Sequence, residues 1–199
     1  MTTAFPRRRS TALSLPNILT YGRVAAVPAV VALLYWPDDV RARLAALVLF
    51  IAAAVTDYLD GYFARAYAQS SALGRMLDPI ADKLLVAACL LMLAADGVIS
   101  GPSLWAAIII LCREILVSGL REYLAEFKVG VPVSRVAKYK TTVQLVSIGF
   151  LIAGPAGEVI LPQTVPIGLV LLWIAAALTL YTGWDYLKSG IASMIRDET

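Results

Sequence analysis

Six apolar stretches follow one another along this chain, at about 17–36, 42–62, 79–97, 102–124, 138–154 and 163–187. Each is long enough to cross a hydrocarbon core of about 30 Å at roughly 1.5 Å rise per residue, some with little tilt. Turn-prone breaks separate them: Pro37-Asp38-Asp39, Asp96-Gly97, Gly130-Val131-Pro132, and Gly154-Pro155 through Pro162. The composition agrees, since 60% of the 199 residues are hydrophobic and only 16% are charged. The expected fold is all-α, an integral membrane bundle of six transmembrane helices. Residues 1–199 read as a single membrane domain, with no repeat, low-complexity segment or linker to divide it. Cys89 and Cys112 lie inside apolar runs, so no disulfide framework is implied.

An even number of spans puts both termini on one side. The excess of Lys and Arg decides which side. With the N-terminus in the cytoplasm, Arg65, Arg75, Lys83, Lys128, Arg135, Lys138, Lys140, Lys188 and Arg196 fall at or near cytoplasmic ends. The opposite loops then hold only Arg41 and Arg43 as basic residues, beside Asp38, Asp39, Asp96 and Glu158. Residues 1–15 carry Arg7-Arg8-Arg9 and read as a basic cytoplasmic segment touching anionic lipid. Arg23 interrupts the first apolar run and five spans follow, which argues against a cleaved signal peptide. The expected location is the inner (cytoplasmic) membrane, multi-pass, with membrane lipid as surroundings and no nucleic-acid partner.

Four acids stand between the second and third apolar stretches: Asp57, Asp60, Asp78 and Asp82. Asp57 and Asp60 are spaced i,i+3, and Asp78 and Asp82 i,i+4, so on helices each pair shares a face. Gly61 and Ala64 fall on the Asp57 face and Gly74 on the Asp78 face, where small residues admit a ligand or another helix. An Asp at the centre of a membrane helix costs about 2.5–3.5 kcal/mol, so something must offset four of them. Solvated positions at the membrane boundary would suffice for one acid. For four at two helical spacings, with an Arg on the same faces, a divalent cation is the better reading. The chain has no His and only isolated Cys, so hard, oxygen-preferring ions (Mg²⁺, Mn²⁺ or Ca²⁺) fit, one or two of them.

The spacing D-x2-D-G-x2-A-R-x8-G-x3-D-x3-D resembles the signature of the CDP-alcohol phosphotransferases. It is met at Asp57, Asp60, Gly61, Ala64, Arg65, Gly74, Asp78 and Asp82. Enzymes of that family are integral membrane proteins that move a phosphatidyl or similar group from a CDP-linked donor to an alcohol.

Two further polar groups lie in apolar surroundings. The first span opens Leu15-Pro16-Asn17-Ile18-Leu19-Thr20-Tyr21-Gly22-Arg23, with Pro16 suited to a helix start. Asn17, Thr20 and Arg23 recur every three residues. They could be an N-cap with a snorkelling Arg, but a pyrophosphate or a nearby acid explains Arg23 better. The fourth span contains Arg113-Glu114 and Arg121-Glu122, and the fifth opens Lys138-Tyr139-Lys140-Thr141-Thr142 with Gln144. Arg113 and Arg121 are eight apart and share a face. Cations with hydroxyls suit a phosphate, whereas Lys128 and Arg135 read as ordinary positive-inside charge.

These stretches resemble, within the same family, the bacterial phosphatidylglycerophosphate synthases, from about Leu15 to Lys188. The resemblance implies CDP-diacylglycerol as donor and glycerol 3-phosphate as acceptor. It makes Asp57, Asp60 and Asp78 the primary ligands of Mg²⁺ or Mn²⁺, two ions, with Asp82 near the metals as the catalytic base. It assigns Asn17, Thr20, Arg23, Gly61, Arg65, Ser71 and Gly74 to the donor. Arg113, Arg121, Lys138 and Lys140 would take the acceptor phosphate. A homodimer and a cytoplasm-facing site are also implied.

Other functions are weighed against the same residues. A divalent-cation transporter would explain four acids but not Arg65 among them, nor the basic cluster. An intramembrane aspartyl protease needs a Gly-x-Gly-Asp element, and the chain has none. Within the family, inositol phosphate or serine could replace glycerol 3-phosphate.

Overall fold

The structure, a computed structural model, describes residues 15–67, 72–126 and 135–197. Six α-helices make up the described residues, which contain no strand: α1 (Leu15–Leu34), α2 (Val40–Tyr67), α3 (Ala72–Ala95), α4 (Ser103–Glu126), α5 (Arg135–Glu158) and α6 (Thr164–Asp197). The all-helical bundle expected from the apolar periodicity is therefore observed. All but the first of its helices are longer than the apolar runs that announce them. The second reaches Tyr67 rather than 62, the third starts at Ala72 rather than 79, and the sixth continues to Asp197. Polar residues do not end these helices, because their backbone bonds are made internally whatever the side chains are.

Three helices contain a window apolar and long enough to cross a membrane by themselves: Asn17–Leu34, Ser103–Leu124 and Thr164–Lys188. Of the other three, α2 and α3 carry the four acids of the motif, and α5 opens with Arg135, Lys138 and Lys140.

Connections of a few residues require successive helices to alternate in direction. The start of α1, the end of α2 and the start of α3 thus share one end of the bundle. The side chains confirm the alternation at the other end. Arg43 near the start of α2 reaches Asp96 just past α3, Ile152 in the last turns of α5, and Pro37 just past α1.

The core is built from one stripe of each helix. Val30, Phe50, Leu85, Leu93, Ile110, Ile148 and Leu172 are buried in a single cluster. The most extensive packing is α5 on α6. At Gly168 the Leu151 side chain of α5 packs directly on the α6 backbone, since a Cβ there would lie 2.8 Å from Leu151 Cδ2. Ser147 Oγ donates to the Gly168 carbonyl at 2.8 Å across the same seam, so its hydroxyl is satisfied where no water reaches.

The break expected at Gly154-Pro155 is a kink inside α5 rather than its end. Gly154 has φ 50° and ψ −140°, a region that side chains rarely enter, and Pro155 brings no N–H to the helical ladder. The helix resumes for one turn to Glu158. Arg43, expected as a loop charge, is instead inside α2 and 3% exposed.

Candidate active site

Each half of the acidic motif sits on a helix. Asp57, Asp60, Gly61, Ala64 and Arg65 occupy the last turns of α2, and Gly74, Asp78 and Asp82 the first turns of α3. Only 68–71 separates the two helices, so all four acids are carried at one end of the bundle. The side chains of Asp57, Asp60, Arg65 and Asp78, and the surroundings of Gly61 and Gly74, lie outside the described part of the structure. Ser71 lies outside the described residues altogether. Asp82 is described, half-buried, and has an interaction partner.

The polar triad of α1 comes to the same end. Asn17, Thr20 and Arg23 are all buried, Arg23 to 2% exposure, and each is partnered. Asn17 is the third residue of the helix, not its cap, and Arg23 does not snorkel. α1 packs on α2 and α3. Its buried face therefore turns toward the two helices that carry the acids.

The predicted cation cluster divides into two kinds of residue. Arg113 is half-buried between α4 and α6. Its Nε donates to the Thr179 carbonyl at 3.1 Å and its Nη2 to Thr182 Oγ1 at 2.9 Å. Its Nη1 reaches Glu114 Oε1 at 3.4 Å, and the same carboxylate oxygen accepts from Lys140 Nζ of α5. Lys140 is buried, and the charge of Asp82 acts on it across from α3. Lys138 and Arg121 are exposed, Arg121 lying over the Tyr186 ring at 5.6 Å from its centroid. Gln144, one turn beyond Lys140, is buried, and its Oε1 has no hydrogen-bond partner among the described residues.

Thr179, Thr182 and Tyr186 of α6 did not stand out in the sequence. Their spacing of three and four residues along an apolar helix is the one signal that could have found them. Lys128 lies outside the described residues, as does the side chain of Arg135.

The donor set can be tested for fit to a divalent cation. No group of three or more His, Cys, Asp or Glu side chains that could hold a metal occurs among the described residues. The acidic motif supplies carboxylates alone, carried on two helices at one end of the fold. Oxygen-only donors match a hard ion such as Mg²⁺ and mismatch zinc or copper.

The sequence model of the CDP-alcohol phosphatidyltransferase family matches residues 13–181. The chain belongs to that family. It is a membrane protein, and enzymes of the CDP-alcohol phosphatidyltransferase family generally use a divalent metal ion. Among its relatives is the CDP-diacylglycerol--glycerol-3-phosphate 3-phosphatidyltransferase of Rickettsia typhi, 46% identical over 177 residues, 88% of this chain and 96% of that protein. The enzyme of the same name from Cereibacter sphaeroides is 38% identical over 221 residues, covering 93% of this chain and 98% of the relative. An Arabidopsis thaliana enzyme, numbered 2 under that name, is 38% identical over 190 residues, 90% of this chain and 80% of the relative.

Proposed function

We propose that this chain transfers the phosphatidyl group of CDP-diacylglycerol to glycerol 3-phosphate, giving phosphatidylglycerophosphate and CMP. The observation that carries the reading is the partly buried cation cluster of Arg113 and Lys140 around Glu114, in a chain that carries the acidic motif of the family on α2 and α3. A reaction that joins a pyrophosphate donor to a phosphorylated alcohol needs both kinds of group. The names of the relatives, which state both substrates, support the same conclusion.

Asp57, Asp60 and Asp78, with Asp82 beside them, would hold the Mg²⁺ or Mn²⁺, two ions in this reading. Bound there, the ions would supply neutralisation of the pyrophosphate charge. Asn17, Thr20, Arg23, Arg65 and Ser71 bind the donor, with Gly61 and Gly74 giving it room. Lys140, Lys138, Arg121 and Arg113 form the acceptor-phosphate region. Asp82 accepts the proton of the glycerol hydroxyl. The hydroxyl oxygen then forms a bond to the phosphatidyl phosphorus, and the bond from that phosphorus to the oxygen of CMP breaks. CMP leaves with the electron pair. A chain without His leaves a carboxylate as the natural base at this end.

The proposal includes six membrane crossings, one domain over 1–199, both termini and the acidic end in the cytoplasm of an inner membrane, and a homodimer. The test is an assay of the detergent-solubilised protein with CDP-diacylglycerol and a panel of alcohols. CMP release should require glycerol 3-phosphate. Release with serine or inositol phosphate instead would reassign the acceptor, and Mg²⁺ movement without donor would point to a transporter.

A further inference from the structure

Glu114 is an acid placed in the middle of a cation cluster, and the proposed reaction gives it no chemical task. Its position in α4 is otherwise apolar on both sides, Leu111-Cys112 before the Arg and Ile115-Leu116-Val117 after the Glu. An ionised carboxylate persists in such a segment only with partners. It has two, and both are cations of the proposed acceptor region. Glu114 Oε1 accepts from Arg113 Nη1 and from Lys140 Nζ.

The three side chains form a line of contacts that begins on α6. Arg113 is tied to α6 at two points, the Thr179 carbonyl and Thr182 Oγ1, so its planar fork is fixed. Thr182 Oγ1 in turn donates to the Leu178 carbonyl at 2.9 Å, which sets the acceptor lone pairs that Arg113 uses. Arg113 holds Glu114, and Glu114 holds the ammonium of Lys140. Lys140 hangs on a flexible four-carbon stem, and an ammonium has three donors. One of them goes to Glu114. The order of contacts runs from the α6 backbone through Arg113 and Glu114 to Lys140.

We propose that Glu114 is a positioning residue. It fixes the Lys140 ammonium for the phosphate of the acceptor, with Arg113 and Thr182 as its anchor rather than as ligands of substrate. This rests on the reading of the basic cluster as the acceptor-phosphate region. The competing account is electrostatic: Glu114 merely neutralises two cations while the site is empty. The two accounts predict opposite orders for two substitutions. Glu114→Asp keeps the charge and withdraws the carboxylate by one methylene. Glu114→Gln removes the charge and keeps an oxygen in place.

The experiment uses the full-length protein in mixed micelles, with the KM for glycerol 3-phosphate and for CDP-diacylglycerol measured separately. Glu114→Asp and Glu114→Ala should each raise the acceptor KM by roughly tenfold or more, with donor KM within about threefold of wild type. Glu114→Gln should lie closer to wild type than Glu114→Asp. In a Lys140→Ala background Glu114→Ala should add less than about threefold, because the contact it acts through is gone. Thr182→Val is the milder companion, carrying no charge change, and should raise acceptor KM a few-fold in the wild-type background alone. The proposal is overturned if Glu114→Asp behaves as wild type, if Glu114→Ala lowers the acceptor KM, or if Glu114→Ala and Lys140→Ala multiply. If Lys140→Ala leaves acceptor KM unchanged, the cluster is not the acceptor site. The proposal then falls together with the reading beneath it, a result distinguishable from the other three.

Discussion

Arg43 Nη2 donates to Asp96 Oδ2 at 2.9 Å, joining residues 53 apart in sequence through side chains that are 3% and 4% exposed. Each nitrogen of the guanidinium donates one hydrogen bond around this pair. Its Nε donates to the Ile152 carbonyl at 3.0 Å, where the kink of α5 interrupts the helical ladder, and its Nη1 to the Pro37 carbonyl at 3.1 Å. One side chain thus ties together α2, α3, α5 and the α1–α2 connection. It does so at the end of the bundle opposite the acidic motif. Burying an ion pair is costly unless further hydrogen bonds support it, and here the Ile152 and Pro37 carbonyls and the Val98 N–H supply them.

Arg43→Ala should therefore act on stability and not on chemistry. Removing one partner of a buried pair costs about 3–5 kcal/mol, because the other is left charged and unpaired. Gly154→Ala should act in the same place. Its φ of 50° disfavours a side chain, and a Cβ would lie 2.9 Å from Arg43 Nη2. Thermal unfolding in detergent should show a lower midpoint for both variants. Turnover per folded molecule and both KM values should stay near wild type. A normal midpoint for Arg43→Ala would contradict the clasp.

The clasp also shows where the sequence stops being informative. Helix number was legible, because apolar length is a local property. The acidic motif was legible because its spacing is local too, and both halves prove to be helical. Arg43 was not, since its position beside Asp38, Asp39 and Arg41 looks like the edge of a loop. Its burial depends on partners supplied by α3 and α5. Arg113 behaves likewise: eight residues from Arg121, it shares a helical face with it, yet Thr179 and Thr182 take its fork while Arg121 stays exposed. A periodicity names the face of a helix, not the helix that will cover it.

The proposed metal requirement gives a second prediction. With carboxylates as the only acidic donors at the α2–α3 end, Asp57→Asn, Asp60→Asn or Asp78→Asn should each lower turnover by several orders of magnitude. Chelation with EDTA should abolish CMP release, and Mg²⁺ or Mn²⁺ should restore it, while Zn²⁺ should serve poorly. Full activity in excess chelator would remove the metal from the mechanism.

Topology gives a third. Cysteines at Phe5 and Ile195 should resist an impermeant thiol reagent in intact cells, and a cysteine on the α5–α6 connection should react. Gly157 is a poor place for it, since a Cβ there would lie 2.9 Å from Ala153 Cβ. Glu158 is exposed and is the better probe. Cys112 is exposed on the bundle and should be replaced by Ser in the background, whereas Cys89 is buried. Labelling of either terminus would reverse the orientation or change the number of crossings.

The acceptor cluster gives the sharpest test, because its members differ in burial. Lys140 is buried, held by Glu114, and within the field of Asp82, so its ammonium has a defined place before any ligand arrives. Lys138 and Arg121 are exposed, and each must give up side-chain freedom to meet a phosphate. A charge-assisted hydrogen bond contributes about 1.5–3 kcal/mol, and the preordered one should contribute most. Lys140→Ala should raise the KM for glycerol 3-phosphate by roughly ten- to a hundredfold. Arg121→Ala and Lys138→Ala should raise it less, by about two- to tenfold each, as expected of solvent-screened charges. Donor KM should change little in all three, because the proposed arrangement puts the pyrophosphate with the acids of α2 and α3. Plain glycerol should be a poor acceptor for the wild type and no poorer for Lys140→Ala, since it carries no phosphate for that ammonium to hold. If Lys140→Ala instead raised the KM for CDP-diacylglycerol, Lys140 would belong to the donor, and the acceptor phosphate would have to be sought at the exposed cations alone.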